Sequence, residues 1–97
     1  QVKILPISEN FVQYGDEIVK KLKAKNIRCE IDIRAEKIGY KIREARQERV
    51  PYMIVVGEKE QSDGTISLRS RKNGDEGSKY LEEFIYRIEK EVKNKEL

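Results

Sequence analysis

Histidine and tryptophan are absent from the 97 residues, and cysteine and methionine occur once each. Without histidine, the side chain that most often moves protons near neutral pH and ligates zinc is missing. A lone Cys29 can neither close an internal disulfide nor build a thiolate metal cluster, and nothing around it marks an activated nucleophile. No apolar run approaches the roughly 20 residues that cross a bilayer. The start of the chain lacks the basic segment, apolar segment and cleavage site of a signal peptide. These absences together predict a reducing, cytoplasmic setting and no membrane partner. Glycine is sparse where a nucleotide site would need it: the first strand-to-helix junction reads Ser8-Glu9-Asn10, not a phosphate-cradling loop. Acidic residues are plentiful but show no metal-ligand spacing, and a phospho-receiver's aspartate would fall where the chain has Gly57-Glu58-Lys59-Glu60. Neither a catalytic centre nor a cofactor is expected.

What is present is charge. Charged residues make up 40% of the chain, well above the roughly 25% of an average domain, against 37% hydrophobic residues. The apolar residues recur regularly, so a single folded domain over residues 1–97 is predicted rather than a disordered chain. From Arg34 to Lys72 ten basic residues meet six acidic ones, a balance of +4, while the rest of the chain carries −1. A positive middle suits a polyanion. A surface this charged also shows such excesses by chance, so both readings stay open. The chain begins with Gln1 and enters a strand pattern almost at once, so a piece of a longer protein, cut at a domain boundary, is expected.

Val2–Ile7 reads as a strand. Asn10 is a candidate N-cap, with Gln13 completing a capping-box-like pair. Tyr14, Ile18, Val19 and Leu22 then recur at helical spacing until Asn26 stops the helix. Arg28 to Arg34 alternates, with Cys29, Ile31 and Ile33 on one side and Arg28, Glu30 and Asp32 on the other, as in a strand near a sheet edge. A second helix carries Ile38, Ile42 and Ala45, and Pro51 ends it. Tyr52–Val56 is a continuous apolar run suited to a central strand covered on both faces. Ser62-Asp63-Gly64 signals a turn. Thr65 to Arg71 alternates again, and Asn73-Gly74 with Gly77 marks a loop. Ser78 is a candidate cap for a last helix whose stripe is Leu81, Phe84, Ile85, Ile88 and Val92, with lysines toward its end. The order β-α-β-α-β-β-α predicts an α/β fold with a mostly parallel sheet and one antiparallel strand.

Two segments carry more specific information. In Arg34–Glu44 a glycine, Gly39, stands in the first helical turn, where it costs about 1 kcal/mol relative to alanine. Close approach by another backbone, such as a phosphate chain at a helix start, would justify it, with Lys37, Lys41 and Arg43 around that point. A flexible helix start with solvated charges is the plainer alternative. In the second segment, Val50-Pro51-Tyr52-Met53-Ile54-Val55-Val56-Gly57-Glu58-Lys59-Glu60 leads through the turn to Arg69-Ser70-Arg71. Strand pairing there predicts that Glu60 and Arg69 flank the turn at the sheet's end. A carboxylate accepts from guanine's Watson–Crick N–H groups, and an arginine donates to base oxygens or stacks on a base.

Together, Lys37-Ile38-Gly39-Tyr40-Lys41-Ile42-Arg43-Glu44, Val50-Pro51-Tyr52 and Gly57-Glu58-Lys59-Glu60 strongly resemble the C-terminal anticodon-binding domain of threonyl-tRNA synthetases, across essentially the whole chain. The resemblance implies a three-layer α/β/α sandwich, a mixed and mostly parallel sheet of about five strands flanked by three helices. It implies binding of a threonine tRNA anticodon loop, with a guanine and a uracil read at the second and third positions. Carried over, Glu60 and Arg69 match base-contacting positions, and Arg34, Lys37 and Arg43 a positive rim. Lys41 and Arg71 are added as basic neighbours, and Tyr40 as a stacking platform. Where the family carries Asn or Asp between that arginine and glutamate, this chain has Ala35, which puts one base contact in doubt. ATP would act only in a separate catalytic domain. Other domains of the same synthetase would be partners, with a homodimeric parent left open. A docking or dimerisation module on the same fold is the alternative, and a receiver- or flavodoxin-like enzyme lacks its phosphate loop or acidic pocket.

Overall fold

The apolar run Tyr52–Val56 becomes the third strand, β3, in a computed structural model whose described residues are 1–93. It pairs in parallel with β1, Val2–Pro6, which pairs in parallel with the edge strand β2, Cys29–Ile31. On its other side β3 pairs antiparallel with β4, Ile66–Ser70, and β4 with β5, Gly74–Lys79. The sheet is therefore five-stranded and mixed, in the order β2-β1-β3-β4-β5.

A 3-10 turn at Glu9–Phe11 leads into helix α1, Val12–Ala24. Asn10 lies inside that turn and caps nothing, because Ser8 is its extended N-terminal residue and no side-chain cap forms. Asn26 does stop α1, with a left-handed φ of 61°. α1 rides close on the sheet because Gly15 faces it: a Cβ there would stand 2.7 Å from the Ile31 Cδ1. Helix α2 is Ile38–Gln47 and α4 is Leu81–Lys93. Of the lysines expected near the end, Lys90 and Lys93 stand in α4's last turn, and Lys95 lies outside the described residues.

A helix stands where a turn was expected. With α3, Glu58–Asp63, the described residues hold four α-helices rather than three, and Gly64 closes α3 with a left-handed φ of 69°. Its six polar residues give no apolar stripe to read. Likewise Gly74–Lys79 forms a strand although its own sequence reads as a loop, held by backbone pairing with β4. Ser78 therefore lies in β5, not at a helix cap, and α4 begins after Tyr80.

Two layers of side chains close the sandwich. α1 and α4 cover one face through Ile18, Leu22, Phe84 and Ile88 against Ile4, Ile54, Ile66 and Leu68. α2 covers the other face through Ala45, with Ile38 and Ile42, against Leu5 and Met53. Among the described residues no helix is long and apolar enough to cross a membrane.

Candidate nucleic-acid interface

β1 is flanked by β2 on one side and β3 on the other, and α1 and α2 leave on opposite faces. The carboxyl ends of β1 and β3 therefore form a topological switch point, where open α/β sheets place ligands. Next to it, past the carboxyl ends of β1 and β2, the Ile7–Glu9 and Asp32–Lys37 connections border a crevice of about 290 Å³. Ile7 and Ile33 stand at it, 42% and 64% exposed. Ile33 was expected to share the inner side with Ile31. The strand ends at Ile31, however, so the alternation breaks, Ile33 turns out and Asp32 turns in.

Asp32 is buried because it is paired. Arg34 donates to it through Nε at 2.9 Å and Nη2 at 2.7 Å, and the Arg34 backbone N–H adds a third bond at 3.1 Å. Those bonds, the guanidinium's first, hold the Asp32 carboxyl down at about 2, against the cost of burial. Arg34 also donates to Glu44, and its guanidinium lies 5.9 Å from the Tyr40 ring centroid. The hydrogen bond to Glu44 pushes the Tyr40 phenol up, the bond from Arg34 first pushes the Glu44 carboxyl down, and the bonds to Asp32 first and to Glu44 next push the guanidinium up. Arg34 was expected on a free phosphate-facing rim. It is instead the centre of an internal network that fixes the β2–α2 loop, with Tyr40 stacked on it and 45% exposed.

Lys41 corrects the expectation more sharply. It is 2% exposed, so it cannot be a surface cation. Its Nζ donates to the carbonyl oxygens of Pro6 at 3.1 Å and Asp32 at 3.0 Å, tying the ends of β1 and β2 together beneath the crevice. Helical periodicity placed it among solvated charges, and only the two carbonyls at the strand ends explain why an ammonium tolerates burial there.

Lys37 and Arg43 are exposed and have no carboxylate partner among the described residues. Glu44 and Glu48 reach toward Arg34 and Lys3, so that flank of α2 faces β1 and β2. The opposite flank, toward β4, carries Gly39, Arg43 and Arg46 at helical spacing. Beyond it the sheet is only partly covered: Ser67 and Arg69 on β4 are half-buried, whereas Ile66 and Leu68 on the other face are closed off. Sequence reasoning missed Arg46, Ser67 and the exposed isoleucines. The alternation of Ser67 and Arg69 with Leu68 was the available signal for an open face.

Glu60 and Arg69 do not flank one turn. Glu60 lies in α3, just past the carboxyl end of β3, and its Oε1 accepts the Gly57 N–H at 2.8 Å. Arg69 pairs across from Met53, three residues along β4 from Ile66, or roughly 10 Å at strand spacing. It sits 3.7 Å from Asp75. Glu60 thus stands beyond the carboxyl end of β3, and Arg69 lies farther back along β4, on the open face. Arg71 is farther still, exposed beyond β4, where its Nη1 donates to the Arg49 carbonyl at 3.2 Å. The inserted helix α3 accounts for the separation. The arrangement offers a polar floor, a basic flank and a crevice at one end.

A profile of the family described as the anticodon binding domain matches residues 1–91. Threonine–tRNA ligases of Clostridioides difficile strain 630 and Clostridium acetobutylicum are 57% identical over 96 residues and 58% over 95, covering 99% and 98% of this chain. The chain spans 15% of the length of each of these relatives. Among solved structures, the RNA binding domain of threonyl-tRNA synthetase from Cryptosporidium parvum Iowa II matches 93% of this chain and 23% of its own, at a TM-score of 0.86 and 30% identity.

Proposed function

Because the chain belongs to the anticodon-binding domain family, we propose that it reads the anticodon loop of a threonine tRNA as one module of a threonine–tRNA ligase, whose other domains activate the amino acid with ATP. The observation that carries this reading is the half-covered sheet face beside the unpaired cations of α2. Lys37, Arg43 and Arg46 supply attraction to phosphates without sequence choice. Unstacked bases then lie against the floor, where Arg69 donates and the Glu60 carboxylate accepts. Glu60 keeps one oxygen on Gly57 and so arrives already oriented. The domain itself binds and positions and does not catalyse. A cytoplasmic location, and contacts with the rest of the ligase or a second copy of it, belong to the same proposal.

The test is a titration with an anticodon stem-loop carrying GGU, beside one with the central guanine replaced, at two salt concentrations. Tighter binding of GGU, with salt-dependent binding of both, is expected. Lys37→Ala should lower the salt slope by about one unit and leave discrimination intact. Glu60→Gln, which keeps an acceptor for Gly57, should reduce discrimination by ~1–3 kcal/mol. Indifference of the chain to both loops would overturn anticodon reading in favour of a docking module.

A further inference from the structure

Three helices stop at a residue with left-handed backbone. α1 stops at Asn26 and α3 at Gly64, with φ of 61° and 69°, and those residue types adopt that conformation readily. α2 stops at Arg49, with φ of 60°. The turn there is complete: the Arg49 N–H donates to the Arg46 carbonyl at 3.0 Å and the Val50 N–H to that of Ala45 at 3.2 Å. Glycine is the usual residue at this place, because a Cβ crowds the carbonyl oxygen that follows. The dipole of α2 does not explain the arginine, since Arg46 already stands as a cation in its last turn. Nor does the fold use its side chain. Arg49 is exposed, and among the described residues only its backbone is engaged, its carbonyl accepting from Arg71 at 3.2 Å.

That bond gathers cations into one corner. Arg71 is pinned beside Arg49 by it and by its own N–H, which donates to the Pro51 carbonyl at 2.9 Å, and Lys72 follows, exposed. The carboxylates of adjoining segments are turned elsewhere: Glu48 holds Lys3 at 2.9 Å, Asp75 lies 3.7 Å from Arg69, and Glu91 accepts the Tyr52 hydroxyl at 2.6 Å. The corner stands where β3 starts and β4 ends, across the five residues of β3, or roughly 15 Å, from Gly57 and Glu60. Fixed guanidinium groups match phosphate oxygens. A loop whose bases lie on the open face continues into a base-paired stem, a rigid duplex met through its backbone. We propose that Arg49, with Arg71 and Lys72, binds backbone phosphates of that stem, and that the strained turn at Arg49 is retained for this contact. The proposal rests on the anticodon-reading function and adds to it an anchor and a direction: the stem runs toward the amino end of β3.

The experiment uses the 97-residue chain and three GGU stem-loops: one unmodified, one with neutral methylphosphonates in place of the stem phosphates, and one with them in the loop. Arg49→Gly should raise the melting temperature, because glycine relieves the left-handed turn and keeps the carbonyl that holds Arg71. It should also lower the salt slope for the unmodified RNA by about one unit. That drop should persist when the loop is neutral and vanish when the stem is neutral. Lys72→Ala should repeat the binding result without the gain in stability, and neither change should alter the preference for GGU. An Arg49→Gly chain that melts no higher removes the strain and the reason to assign the arginine a role. Unchanged binding of the unmodified RNA, or a drop that persists with a neutral stem, overturns the stem contact. In each of these cases a GGU preference in the unaltered chain leaves anticodon reading standing. Indifference of the unaltered chain to all three RNAs overturns both.

Discussion

Under α1 and α4, thirteen buried apolar side chains from Val2 to Ile88 close one continuous cluster, whereas under α2 the buried cluster holds only Leu5, Ala45 and Met53. Both faces belong to the same five strands, yet their work differs. The first face contains most of the hydrophobic burial, so the second is free to leave Ser67 and Arg69 half-open and to line its helix with unpaired cations. On the proposed function, stability and recognition thereby fall to opposite sides of one sheet. Substitutions on the first should change folding, and substitutions on the second should change binding with little effect on folding.

The largest test of that division is Phe84→Ala. Phe84 is 1% exposed and meets Tyr52 edge-on, with ring centroids 5.2 Å apart. Its loss should cost about 3–5 kcal/mol in a denaturant titration. Val55→Ala, two methylenes removed on the half-covered face, should cost roughly 1–2 kcal/mol. Equal losses would break the comparison.

A smaller effect comes from two ion-paired carboxylates, one at each side of the molecule. The Glu76 carboxyl is held at about 2 by Arg87 first, which reaches it at 2.6 Å, despite its burial, with Ser70 assisting at 2.5 Å. Asp32 is held at about 2 in the same way by Arg34. Both lie below their ordinary values of 4.5 and 3.8, so the charged forms favour the folded state. Their contribution is fully present above about pH 5 and is lost as pH falls toward 2, together roughly 2–4 kcal/mol. Arg87→Met should flatten that part of the acid profile due to Glu76 and leave the part due to Asp32. Unfolding measured from pH 6 to pH 2 separates the two.

The comparison also explains what the sequence disclosed. Elements that face the large cluster were legible, because α4 must place Leu81, Phe84 and Ile88 on one stripe and β3 must be apolar throughout. The edge strand β2 and the central position of β3 were readable for the same reason. β5 and α3 contribute almost nothing to either cluster, so neither left an apolar pattern. The site was harder. The resemblance named its residue types, but charge periodicity placed Lys41 outside and Asp32 on a wet face, when Lys41 is buried on the carbonyls of Pro6 and Asp32 and Asp32 is buried against Arg34. Buried polar networks have no period. Arg34 shows the consequence: a basic residue in a positive stretch that has no free charge to offer.

Gly39 gives the smallest effect and the sharpest one, because folding and binding should move in opposite directions. It lies in the first turn of α2, on the flank with Arg43 and Arg46, and a Cβ there would meet nothing within 4 Å. Packing inside the chain therefore does not require glycine. Alanine is the better helix former by about 1 kcal/mol, so Gly39→Ala should raise stability by about that amount. If an RNA backbone approaches this turn, the added methyl should weaken stem-loop binding while the melting temperature rises. Arg46→Ala, on the same flank, should lower the salt slope without changing base preference. A Gly39→Ala chain that is more stable and binds as tightly as before would remove the close approach and move the RNA path off this flank, toward the open strands beyond it.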